Sequence, residues 1–165
     1  MNTVTERFRN DTTVVYSDDA DLVWERTFDA PRDLVWAAFM DADRIPRWWG
    51  PHGTTTEVVE MDVRPGGHWR YISHAPDRDD VPFTGEYLEL DPPSSFRWTF
   101  IVDLDGMRDH AGIETFTFED IGGTTKLTSR SHFASIEELE GALATGMIPG
   151  GVETWDRFAA MLAES

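Results

Sequence analysis

The chain is predicted to be α+β: a curved antiparallel sheet of about seven strands wrapped around a long C-terminal helix, with two short helices between the first and second strands. Three observations predict this. An alternating apolar run at 22–28 gives way to a helical stretch. Six β-rich runs then follow one another from Thr54, with only short turn-forming links between them. Residues from Ser135 onward return to a helical period.

The first 20 residues are polar and weakly patterned. They read as an N-terminal arm, either frayed or adding an edge strand through Thr12 to Tyr16. Residues 21–165 are expected to form a single domain, since one compact unit is the default at this length. Leu22, Trp24, Arg26 and Phe28 share one strand face, and Val23, Glu25 and Thr27 the other. Asp29-Ala30-Pro31 ends that strand, with Pro31 suited to a first helical turn and Asp29 to a cap. Leu34, Val35, Ala38 and Phe39 follow at helical spacing, and a second short helix runs from Arg44 into Trp48-Trp49.

The six β-rich runs are 54–63, 67–74, 81–90, 95–102, 113–119 and 124–133. Pro65-Gly66-Gly67, Pro92-Pro93, Asp105-Gly106 and Gly122-Gly123 supply turns between them, and short links favour antiparallel neighbours. In the tail, Ser135 with Glu138 three residues later is a capping box. Leu139, Leu143, Val152, Trp155, Phe158 and Leu162 form an apolar helical stripe. The insert from Gly146 to Gly151 is expected to kink that helix or divide it in two.

The composition narrows the function. The formal charge is −17, with Lys126 the sole lysine, and such a field disfavours phosphate backbones and so nucleic acid. A general acidic coat suited to salt or solubility explains that charge without any cationic partner. Cysteine is absent, which removes disulfides and thiolate chemistry. The longest apolar runs are too short to span a bilayer, and residues 1–7 lack a signal-peptide core. A cytoplasmic protein is the expectation. A single sheet of this length must bury one face, and the last helix is the only cover large enough. The gap between them is the natural place for a small, mainly apolar guest.

A set of residues then carries a family resemblance. Arg26 to Pro31 with Val35 to Ala38, Trp48-Trp49-Gly50-Pro51, Asp62 to Gly67 with Trp69, Gly85-Glu86-Tyr87, Gly123 to Leu127 and Gly146-Met147 occur in order. Over about residues 20–163 the chain resembles the SRPBCC superfamily of START-like, birch-allergen-like helix-grip proteins. Within it, the chain resembles the bacterial group named for the activator of heat-shock-protein ATPase homologue. The resemblance implies the helix-grip fold and a cavity, and leaves the activity open because this fold hosts many functions.

The candidate pocket residues are Trp48, Trp49, Trp69, Tyr71, Tyr87, Trp98, Phe100, Phe116, Met147, Trp155 and Phe158. Core filling is the competing reading for all of them, since inward aromatics on strands and helices pack as readily as they line a space. Glu86 and His132 are the candidate polar pocket groups. No nucleophile elbow, phosphate loop, dinucleotide fingerprint or metal-ligand spacing is present, so no catalytic residue, cofactor or metal is assigned. The leading expectation is binding of a lipid, polyketide or aromatic metabolite. A cyclase, dehydratase or hydrolase using the same cavity is the alternative. A chaperone-associated module is the third reading; a chaperone partner is disfavoured because no second partner-binding domain fits in the chain. A homodimer through the sheet edge or the tryptophan corner is left open.

Overall fold

The computed structural model describes residues 3–164. In chain order these form β1 (Val4–Arg9), β2 (Thr13–Asp18), β3 (Asp21–Phe28), α1 (Arg32–Met40), α2 (Ile45–Trp48), β4 (Thr55–Met61) and β5 (His68–Ala75). There follow β6 (Arg78–Asp91), β7 (Ser95–Val102), β8 (Gly112–Ile121), β9 (Thr124–His132), α3 (Ile136–Leu143) and α4 (Met147–Ala163). All nine strands lie in one antiparallel sheet, ordered β1-β2-β3-β9-β8-β7-β6-β5-β4.

The topology follows from one detour. After β3 the chain leaves the sheet through α1 and α2 and re-enters at the far edge as β4. Short turns then fold β4 to β9 back as a meander until β9 pairs with β3. The expected count of about seven strands rises to nine because the N-terminal arm is a hairpin. Thr13, Val15 and Ser17 alternate inward on β2, which pairs with β3 along its full length. β1 adds outside it, with a register break between Glu6 and Phe8.

The predicted alternation of β3 holds: Leu22, Trp24, Arg26 and Phe28 are all buried. Asp29 does not cap α1. Pro31 occupies the cap position and its carbonyl accepts from Leu34 and Val35. The Thr125 hydroxyl holds the preceding Ala30 carbonyl against β9 at 2.8 Å. The capping box of α3 is present, with the Glu138 amide donating to Ser135 Oγ at 3.1 Å. Gly146, at φ 86°, divides the tail into α3 and α4. Pro149 falls in the first turn of α4, where its missing N–H leaves no gap.

α4 covers the concave face. Phe158 packs edge-on against Phe28 and Phe39 at 5.0 and 5.2 Å and lies 4.3 Å from Trp48. Trp155 meets Trp24 and Phe28 at 5.6 and 5.9 Å. Among the described residues no helix is long and apolar enough to cross a membrane.

Candidate ligand cavity

A cavity of about 400 Å³ lies between the concave face and the first half of α4. The sheet contributes Trp24 from β3, Ser73 from β5, Val81 and Phe83 from β6, Trp98 and Phe100 from β7, Glu114 and Phe116 from β8, and Ser129 and Ser131 from β9. Met147, Gly150, Gly151, Thr154 and Trp155 roof it, while Phe39 and the corner from Trp48 to Pro51 close one side.

The space exists because small residues meet where large ones would otherwise interlock. On β9 the inward positions run Leu127, Ser129, Ser131, so side-chain volume falls along the strand. Above them the helix presents Gly150 and Gly151. A Cβ on Gly151 would sit 2.5 Å from the Trp24 ring, so glycine there permits the close approach of α4 to β3.

The corner is fixed by its carbonyls. Trp48 Nε1 donates to the Ala38 carbonyl at 3.1 Å. Thr56 Oγ1 donates to the Trp49 carbonyl. Arg157 Nη1 reaches from α4 to the Gly50 and Pro51 carbonyls at 2.8 and 3.2 Å. Both indoles are therefore set relative to the roof. Trp49 lies edge-on to Tyr71 and Phe83 at 5.2 and 4.9 Å.

The acidic group lining the cavity is Glu114. Strand register explains its setting: β8 places it opposite Trp98 of β7 on one side and Ser131 of β9 on the other. Trp98 Nε1 donates to Glu114 Oε1 at 2.8 Å, and Ser131 Oγ donates to Oε2 at 2.9 Å. Protein surrounds this carboxyl, yet part of the residue stays accessible because it looks into the void. Burial pushes its pKa up from the usual carboxylate value, and the two donors pull it back only in part. Arg78 stands exposed at the rim, donating to the Ser73 hydroxyl at 2.8 Å and the Asp79 carbonyl at 2.9 Å.

Seven of the predicted pocket residues meet here: Trp48, Trp49, Trp98, Phe100, Phe116, Met147 and Trp155. The other four face inward but serve as core. Trp69 stacks on Trp98 at 4.1 Å and donates to the Thr99 carbonyl. Tyr71 and Tyr87 are buried beside it; burial raises the Tyr71 hydroxyl well above its ordinary pKa and the Tyr87 hydroxyl to about 12. Phe158 fills the space between α1, α2 and β3.

Glu86 and His132 do not enter the cavity. The Glu86 side chain is 42% exposed, 3.7 Å from His68 on the convex face. The His132 side chain is 67% exposed and pairs with Asp21 at 2.6 Å. Their strand parity is the reason, since each neighbours an inward residue, Tyr87 or Ser131. Glu114 takes the polar position instead. The signal that finds it is its spacing of two and four from Phe116 and Phe118 on the same inward face.

The sequence pattern of the family described as Activator of Hsp90 ATPase homolog 1-like protein matches residues 29–163. No curated protein matches the chain. Among solved structures, a Mycobacterium smegmatis protein is 26% identical with a TM-score of 0.79, covering 98% of this chain and 97% of its own. A protein from Arthrobacter aurescens is 23% identical with a TM-score of 0.85, covering 92% and 91%. A Rhodobacter sphaeroides protein is 20% identical with a TM-score of 0.80, covering 99% and 100%. The latter two likenesses speak to fold alone.

Proposed function

The chain belongs to the family of Activator of Hsp90 ATPase homolog 1-like proteins, and on that premise we propose that it binds a small, mainly apolar molecule between the sheet and α4. The observation carrying this reading is the cavity of about 400 Å³, walled by indole and phenyl rings and roofed by a helix. Its volume falls within the span usual for small-molecule sites, and a few polar groups stand among its aromatic walls. The guest classes are lipids, polyketides and aromatic metabolites, bound by a cytoplasmic protein.

The test is a thermal-shift series across those three classes. A guest at a hundredfold its Kd raises Tm by about 5–10 °C for a domain of this size. If no compound in any class shifts Tm, the reading is wrong.

A second reading, an enzyme of cyclase, dehydratase or hydrolase type, draws on Glu114. A carboxyl with a raised pKa facing a cavity is suited to moving protons. It predicts that a bound carbonyl compound is converted on standing and that Glu114→Gln stops the conversion. A guest recovered unchanged favours the carrier.

A further inference from the structure

We propose, resting on the cavity reading above, that the guest is an organic ammonium: an apolar ring frame bearing a protonated amine that pairs with Glu114. The starting observation is an imbalance. Glu114 is half-buried against the cavity, its two oxygens accept from Trp98 and Ser131, and both donors are neutral. Among the described residues no Lys, Arg or His side chain forms an ion pair with it, and the two neutral donors offset its burial only in part. A carboxylate removed from water without a countercharge is costly, and two neutral hydrogen bonds offset part of that cost.

The walls favour a cation as the missing partner. Trp24, Trp98, Phe116 and Trp155 surround the space, and aromatic faces attract ammonium groups. The net charge of −17 raises the concentration of cations around the protein as a whole. Arg78, the other charged residue of the lining, is exposed at the rim and bonded to Ser73 and Asp79. Among the lining residues of β3, β5, β7, β9, α1, α4 and the corner there is no other titratable or charged side chain. A neutral guest leaves the carboxylate unpaired; an anionic guest opposes it. An ammonium completes the site.

The experiment uses four probes on one frame: naphthylmethylamine, naphthylmethanol, methylnaphthalene and naphthylacetate. Binding is measured by calorimetry on the full chain. The expected order is amine first, alcohol second, methyl third and acid last. The amine leads the methyl compound by at least about tenfold, the scale of a hydrogen bond to a charged group. Glu114→Gln brings amine and methyl compound to within about twofold, with the methyl compound's own affinity kept. Lowering the pH on the natural chain gives an independent reading. As Glu114 takes up its proton the amine's lead shrinks, while the methyl compound binds unchanged. An amine that binds no better than methylnaphthalene, or a lead that ignores both Glu114→Gln and pH, overturns the ammonium proposal and leaves the cavity reading intact. If none of the four binds, the cavity reading falls and takes this one with it.

Discussion

The two ends of the concave face use the same strands and the same alternation, yet one is solid and the other open. Under α1, Phe118 meets Trp36 and Phe39 at 5.3 and 5.4 Å, and Leu127 lies opposite Phe118 fully buried. Two and four residues further along the same pair of strands, Ser129 faces Phe116 and Ser131 faces Glu114, beneath the glycines of α4. Fold is set by which positions point inward. Whether a cavity forms is set by how much side chain stands at each inward position and at the helix above it.

Truncation at the solid end should cost most. Phe118→Ala should lower stability by about 3–5 kcal/mol in urea denaturation, because its neighbours are fixed and leave a void. A loss below about 1 kcal/mol would mean this end is not close-packed.

Enlargement separates the two ends on a single strand. Leu127→Phe adds atoms where none fit and should destabilise by about 1–3 kcal/mol. Ser129→Leu adds atoms to the void, so stability should hold or rise by up to about 2 kcal/mol while binding of methylnaphthalene is lost. Equal costs at 127 and 129 would erase the distinction between the ends.

The smallest expected effect concerns Glu114. Its folded pKa is raised above the ordinary 4.5, so between 4.5 and the raised value the folded state holds more of a proton than the unfolded state. Stability should therefore rise as the pH falls from above the raised value towards 4.5, and Glu114→Gln should lack that component. The difference in urea midpoint between the two proteins, followed over this window, checks the sign. A natural chain that loses stability relative to the variant as pH falls would contradict a carboxyl strained by burial.

The elements of the fold are easier to read from residues than the open end of the concave face. Strand alternation, the capping box and the break at Gly146 are local signals, and each appears where it is expected. Of the hairpin, an edge strand through Thr12 to Tyr16 was one of the two readings of the arm. β1 was not legible, because Val4–Arg9 is largely exposed and carries almost no apolar pattern. Trp69 and Trp98 look alike in sequence, both inward aromatics; Trp69 lies over Gly85 and stacks on Trp98, while Trp98 borders the space. Glu86 drew attention through its neighbours in a familiar triplet, but its parity turns it outward. Glu114 was hidden among 31 acidic residues, although its register with Phe116 and Phe118 marks it.

The seven tryptophans provide the most direct test of the open end. Trp24, Trp48, Trp49, Trp98 and Trp155 line the cavity, whereas Trp36 sits at the solid end against Phe96 and Phe118. In a proton–nitrogen correlation spectrum, titration with naphthylmethylamine should move the Trp98 indole resonance most, with the other lining indoles following and Trp36 still. Lining indoles that stay fixed at saturating probe, or a shift confined to Trp36, would contradict a guest beneath α4.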